Sequence, residues 1–544
     1  MGFPLAGVTL SALTGAFLTV FVQESSSRVL FWASFASIWV LLLVFYCVYR
    51  VTIYPHYVSP LRHVPTAPGA HWLYGHGREI DAAHLGMPMR QWVRDVPNDG
   101  LIRYFGYFNQ ERIIVNGPKA LSELLVTKPT EFVRSQNLTH TFGRILGRGL
   151  ILSHGEEHRT HRRILMPAFS FGHVKDLYPT FWAKAAESAE DMIKACGKKG
   201  ESVLTLDSIA SRTTLDLIFL AGMGVDFGAI QNPNSKLLST YNSLIIPHEH
   251  DKTLSFIARF LPARWIVKIP LPRTRYVDQS SSYIRSVCSN LIETRKKQIA
   301  EKKELGKDIL TLVLQSKEEM SQEVMENQLM TFLLAGHETT SSALIWAVYL
   351  LARHQGMQKR LRDEVRAVLP SVTSGDPIIA ARVNQMPYLQ AFCNETLRYF
   401  SPIPMITRNA LIDSSLQGQR IPKGTVVIFV PWATNFDPSA WEGDADAFDP
   451  ERWLTPAADD TQRVGNGGAR TNFSSLTFGH GPRDCIGKGF AKGEFATILA
   501  GWVSRLSFDL VNPEQADEAK LVVNRAVSVR PVESKLRVTV LPEY

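Results

Sequence analysis

The sequence predicts a mainly α-helical body with small β-sheets (an α+β class), held at a membrane by its N-terminus. Three observations carry that expectation. Val29–Tyr49, "VLFWASFASIWVLLLVFYCVY", has 21 residues without a charge, and at helical rise it would extend about 31 Å, close to the roughly 30 Å of a hydrocarbon core. From about Glu156 to Tyr399 helical spacing dominates. After Tyr399 short strand-like runs alternate with turns, interrupted by one last helix over Gly487–Leu506.

In chain order, residues 1–53 form the anchor, with the strong span at 29–49. Residues 3–22 are also uncharged, but Pro4, Gly7, Gly15 and several hydroxyl residues weaken them. They form either a first span or an apolar arm along the membrane. No Lys or Arg precedes that run, which argues against a cleaved signal peptide. Arg50 and Arg62 follow the strong span, so the positive-inside bias puts the body in the cytosol. Pro55, Pro60, Pro65 and Pro68 punctuate a stiff hinge over 54–68, because proline prevents helix continuation. The body, 69–544, begins with a β-hairpin over Leu101–Val115 turning at Asn109, then a short helix over Pro118–Val126. The Gly/Ser/Asn-rich run Pro456–Ser475 reads as a surface loop.

Lys plus Arg exceed Asp plus Glu by 59 to 51, giving +8 over 544 residues. The basic residues are dispersed, which disfavours nucleic-acid binding and leaves room for a basic docking face. Five widely spaced cysteines, Cys47, Cys196, Cys288, Cys393 and Cys485, contain no C-x-x-C pair. A disulfide framework and a structural zinc site are both disfavoured. "HEH" at His248–His250 lacks a third nearby ligand, and "HRTHRR" lacks the interleaved aromatics of a nucleic-acid groove.

One cysteine stands apart. "FGHGPRDCIGKGFA" (Phe478–Ala491) sets Cys485 among glycines and one arginine. Gly481 and Gly487 would let the backbone approach the sulfur, Arg483 would supply positive charge, and Phe478 would cover the site, all of which favour a metal-binding thiolate. Phe478, Gly481, Arg483, Cys485 and Gly487 match the F-x-x-G-x-R-x-C-x-G signature, and on that pattern the chain resembles the cytochrome P450 superfamily. The resemblance implies that Cys485 is the proximal ligand of heme b iron, that Phe478 packs beside it, and that Arg483 pairs with a heme propionate.

Upstream, "TFLLAGHETTSSALIW" places Phe332, Ala335 and Thr339 on one helical face. Gly336 and a Thr hydroxyl bonding back to a carbonyl make a local bulge or kink the expectation there. "AGHETT" is similar to the family's oxygen-activation motif, which implies that Thr339 and Glu338 are catalytic, Glu338 relaying protons. "ETLR" and "FDPERW" resemble the segments that give a buried triad of Glu395, Arg398 and Arg452, holding the cysteine loop. In "HGEEHRTHRRILMPAF" the chain departs from the usual W-x-x-x-R by carrying His158 at the Trp position. Arg162 is kept as a propionate ligand, and Arg408, in "PMITRNA", resembles a further one.

These matches run from the hinge to near the C-terminus and imply the family's helical prism. The implied reaction is monooxygenation of a lipophilic small molecule, a terpenoid or related secondary metabolite in the style of fungal members. Electrons would come from a separate NADPH-cytochrome P450 reductase, with cytochrome b5 as an optional second donor, at the endoplasmic reticulum membrane. The pocket would draw on Phe142, Leu146, Phe332, Ala335, Ile403, Met405, Ile406 and Val527. A heme-thiolate isomerase or dehydratase and a non-enzymatic membrane heme protein are the alternatives; both leave the Glu338–Thr339 pair unexplained.

Overall fold

The computed structural model describes residues 5–22, 28–83, 86–245, 272–303, 306–316, 318, 320–456, 462–523, 528–532 and 534–544. Two apolar helices come first, α1 (Leu5–Val22) and α2 (Arg28–Val48). They pack on each other: Trp39 Nε1 donates to Thr9 Oγ1 at 3.3 Å, and Gly15 lies so near Ile38 that a Cβ would stand 3.0 Å from its Cδ1. Among the described residues one helix, Arg28–Val58, is long and apolar enough to cross a membrane.

That helix does not stop at the first proline. It continues as a π-helical segment, Tyr49–Val58, with Pro55 inside it. Asn109 Nδ2 donates to Val51 O at 2.8 Å, and Arg103 Nη1 donates to Pro55 O at 2.8 Å. The helix is thereby fastened to the hairpin of the body, where a break had been expected.

The hairpin itself is as expected, β1 (Leu101–Phe105) antiparallel to β2 (Glu111–Val115), with Asn109 at φ +50° in the turn. The other strands are β3 (Phe132–Arg134), β4 (Glu201–Thr205), β5 (Ile406–Ala410), β6 (Ser414–Leu416), β7 (Gln419–Ile421), β8 (Val426–Phe429), β9 (Leu454–Pro456), β10 (Gln462–Val464), β11 (Leu506–Leu510) and β12 (Lys535–Val540). The largest sheet runs β1-β2-β8-β5-β3, and a second runs β11-β12-β4. Two expectations change. β4 interrupts the helical region because it pairs with β12 at the far end of the chain. The 456–475 loop contains β10, antiparallel to β9.

Six helices frame the site: α3 (Gln136–Leu146), α4 (Gly155–Leu165), α5 (Tyr178–Cys196), α6 (Leu206–Met223), α7 (Gln322–Arg353) and α8 (Pro387–Tyr399), with α9 (Lys488–Arg505) following the cysteine loop. α7 is the central strut. Ser321 caps it by accepting from Val324 N, Glu323 and Arg353 sit at the dipole ends that suit their charges, and nearly all its side chains are buried. It runs unbroken through "AGHETT", so the expected bulge is absent. Gly336 serves packing instead: a Cβ there would lie 2.7 Å from Ile218 Cδ1 on α6.

Candidate active site

The cysteine loop is built on left-handed glycines. Gly479 and Gly481 have φ of +70° and +77°, conformations a side chain would strain. A Cβ on Gly481 would stand 2.4 Å from the carbonyl of Leu125, so this glycine seats the loop on a neighbouring helical turn and does not serve the sulfur as expected. Cys485 N–H donates to Phe478 O at 2.8 Å. Burial pushes the Cys485 thiol up, and the Gly487 N–H opposes that shift; Asp484 raises it, whereas Arg162 and Lys488 lower it. Cys485 nonetheless keeps an accessible surface, unlike the other cysteines of the body. Cys196, Cys288 and Cys393 are buried, and burial pushes their thiols up, to about 12 for Cys288.

Arg483 directs a guanidinium donor to the backbone. Its Nη2 donates to Ser153 O at 2.8 Å, and burial lowers its pKa to about 10, with Arg134 and Arg162 adding to the shift. Arg134 is the residue the sequence reading missed. It sits on β3 directly opposite Arg408 on β5, in register. Like charges placed opposite one another across a ladder repel. Burial brings Arg134 down to about 10 and Arg408 well below the ordinary guanidinium range, and Arg134 Nε has no hydrogen-bond partner among the described residues. No ion pair joins Arg134, Arg408 or Arg483 to a carboxylate among the described residues. His158 belongs to the same group: burial first, then Arg483 and Arg162, depress it to about 3, so it is neutral. Arg162 differs, because Asp484 pairs with it through both side chain and backbone.

Buried Arg408 with half-buried Arg134 and Arg483, none paired to a carboxylate among the described residues, near an accessible thiol, suits a ligand that brings negative charge and a thiophilic metal. The two carboxylates and iron of heme fit that donor set.

The triad is assembled as expected. Arg398 Nε and Nη2 each donate to Glu395 at 2.8 Å, and Arg452 Nε donates to the same carboxylate at 3.2 Å. The Asp449 N–H and Trp453 Nε1 donate to Glu395 as well. Arg398 uses its remaining donors on the carbonyls of Asn435, Ala445 and Ala447 at 2.7–2.8 Å. Asn435 in turn accepts from Leu476 N, and Thr477 Oγ1 donates to Leu397 O at 2.7 Å. The triad is thus tied to the two residues preceding Phe478.

On α7, Thr339 Oγ1 donates to Ala335 O at 2.7 Å and stays half-buried. Glu338 is buried and faces elsewhere. It accepts from Ser528 Oγ at 3.0 Å and Arg530 Nη1 at 3.3 Å, and Arg530 Nε also pairs with Asp207 at 3.1 Å. His337 Nε2 lies 2.8 Å from Ser211 Oγ, with its other nitrogen 3.8 Å from Glu338. Arg530, Ser528 and Asp207 were not foreseen, since nothing in their local sequence marks them.

Phe142, Ala335, Ile403, Met405 and Ile406 are half-buried. Leu146 and Phe332 are closed over by core packing, Phe332 against Phe169 with ring centroids 5.4 Å apart. Val527 and His248–His250 lie outside the described residues.

Comparison with known proteins agrees with this geometry. The family model described as cytochrome P450 matches residues 65–536. Cytochrome P450 monooxygenase sphH of Aspergillus fumigatus is 38% identical over 498 residues, covering 90% of each chain. Cytochrome P450 monooxygenase ALT8 of Alternaria alternata is 35% identical, covering 89% of this chain and 90% of its own. Among solved structures, the cytochrome P450DA heme domain superposes with a TM-score of 0.71 at 24% identity, over 88% of this chain and 97% of that one, a likeness of fold. A family match over most of the body, together with relatives at this identity, places the chain in the cytochrome P450 family, as a heme-thiolate monooxygenase.

Proposed function

We propose that the chain binds heme b through Cys485 and oxidises a lipophilic small molecule, of terpenoid or related secondary-metabolite class, at the endoplasmic reticulum membrane. The observation that carries this reading is the accessible Cys485 thiol near buried Arg408 and half-buried Arg134 and Arg483, none with a carboxylate partner among the described residues. Arg134, Arg408 and Arg483 would hold the two propionates, with neutral His158 able to donate a ring N–H. Arg162 braces the loop through Asp484. Phe478 and Gly487 flank the sulfur.

Bound heme supplies dioxygen activation, so that RH + O2 + NADPH + H+ becomes ROH + H2O + NADP+. The chain's own part is placement and proton handling. Thr339 Oγ1, pinned on Ala335 O, holds a proton at the pocket face. Glu338 exchanges protons through the Ser528 hydroxyl, while Arg530 holds its carboxylate in place and pairs with partly exposed Asp207. The half-buried apolar side chains exclude water and suit a greasy substrate. Exposed Arg159, Arg163 and Lys488, on α4 and after Cys485, give an NADPH-cytochrome P450 reductase or cytochrome b5 a basic face for docking. The anchor, residues 1–53, and the linking residues 54–68 would keep the body, 69–544, at the lipid surface.

Reduction under carbon monoxide tests the core of the reading. The protein should show the strongly red-shifted absorption of sulfur-ligated heme, and Cys485→Ala should lose it while keeping native far-UV circular dichroism. A folded wild-type protein without that band ends the proposal. Thr339→Ala should divert NADPH to hydrogen peroxide, and unchanged coupling would remove its role. Feeding candidate precursors to an expressing host identifies the substrate, and turnover of only polar compounds would sink the lipophilic assignment.

A further inference from the structure

Seven residues beyond Thr339, and so on the same face of α7 about 10.5 Å further along, stands Trp346, 1% exposed. Its indole ring lies on that of Phe400, with centroids 3.6 Å apart and planes 10° from parallel. Its Nε1 donates to Val529 O at 2.8 Å, where Ser342 Oγ donates as well, at 2.7 Å. Both lone pairs of that carbonyl are thereby used. The Val529 N–H in turn donates to Pro402 O at 2.9 Å.

These contacts close a ring. From Trp346 it runs through the Val529 peptide to Pro402, back along the chain to Phe400, and by the stacked rings to Trp346 again. Residues 400–402 lead directly into half-buried Ile403 and Met405, assigned above to the pocket. Trp432 also fixes this stretch, its Nε1 donating to Ser401 O at 2.8 Å. On either side of Val529, Ser528 Oγ and Arg530 Nη1 donate to Glu338 at 3.0 Å and 3.3 Å. Among these side chains, Trp346 alone grips both stretches, 400–402 and 528–530. Tryptophan suits that task because it offers a broad apolar face for stacking and one donor at its edge.

We propose that Trp346 is a positioning residue for the pocket. Buried away from the ligand, it holds residues 400–405 in register with residues 528–530, and so fixes the apolar wall against which a substrate lies. This role rests on the heme-binding reading given above. A wall held in one register offers its surface already ordered, and a ligand that uses it does not have to order it on binding. A ligand too small to reach beyond the metal gains nothing from that order. Ligand size therefore decides how strongly the clasp is felt.

Two iron-binding probes separate this role from general damage: imidazole, which needs little beyond the metal, and 4-phenylimidazole, whose phenyl ring reaches out to the wall. In the heme-loaded full-length protein each should shift the Soret band to the red as its nitrogen binds iron. Trp346→Leu should keep the carbon monoxide band, yet weaken 4-phenylimidazole by about fivefold or more and imidazole by less than about twofold, as a wall left unordered implies. Trp346→Phe keeps a ring on Phe400 and leaves Val529 O to Ser342, so it should weaken 4-phenylimidazole only about twofold. Adding Ser342→Ala to Trp346→Phe should bring the loss close to that of Trp346→Leu. Should Trp346→Leu fail to fold, the single and double variants built on Trp346→Phe carry the test. Equal weakening of the two azoles, or none, in Trp346→Leu or in the double variant overturns the positioning role. A wild-type protein whose Soret band imidazole does not shift overturns the heme reading instead.

Discussion

Arg398 and Arg408 lie ten residues apart in the chain, are both buried, and are electrostatic opposites. Around Arg398 every guanidinium proton has an acceptor, and the anion, Glu395, belongs to the chain itself. Around Arg408 stand Arg134, Arg483 and neutral His158, with no carboxylate paired to these arginines among the described residues. Burying a charge is costly unless it is paired. The first group therefore holds the fold together by its own means, while the second is tolerable only when another molecule completes it. Satisfaction of charge, more than burial, separates framework from ligand site.

The largest effect should come from breaking the complete set. Glu395→Ala leaves Arg398 and Arg452 buried without their anion and should destabilise the protein by about 3–5 kcal/mol, read by chemical denaturation; a loss below about 1 kcal/mol would mean that Glu395 is not the keystone.

In the incomplete set the sign should invert. Arg134→Leu removes a half-buried charge whose buried Nε has no partner among the described residues, so the heme-free protein should gain about 1–3 kcal/mol, while the loaded protein loses heme faster by roughly tenfold, as one lost charge-assisted hydrogen bond implies. A variant destabilised in both states would make Arg134 part of the framework.

Acid sharpens the contrast further. The folded pKa of His158, about 3, lies below its unfolded value of about 6.5, so its contribution is present above pH 6.5 and is lost as pH falls towards 3. Heme-free protein should lose stability over that window, and propionates beside the imidazole should shrink the slope. His337, depressed to about 4 by burial, adds the same trend in both states, so His158→Gln isolates the difference. Smallest of all, Arg159→Gln breaks an exposed pair with Glu156 and should leave the denaturation midpoint unchanged.

How much was readable beforehand follows from the range of the interactions. The cysteine loop, the face of α7 and the triad are carried by short segments whose spacing suffices to mark them. Arg134 could not be found so, because its meaning arises only when β3 meets β5, 274 residues on. β4 was hidden for the same reason, its partner being β12. Gly336 and Gly481 were noticed but misread: each was taken to serve local geometry, whereas each makes room for a distant neighbour, Ile218 or the Leu125 carbonyl. Arg530 likewise matters to Glu338 only after the chain has folded back across 192 residues.

The joint between the long apolar helix and the hairpin has a mechanical consequence. Because Asn109 and Arg103 donate to the carbonyls of Val51 and Pro55, two hydrogen bonds tie the apolar rod to the hairpin. A bilayer that sets the tilt of that rod would also set the compass heading of the whole body, and with it the depth at which greasy molecules meet the entrance. Asn109→Ala should loosen that gearing, widening the spread of tilt seen by oriented spectroscopy in nanodiscs without altering the heme spectrum.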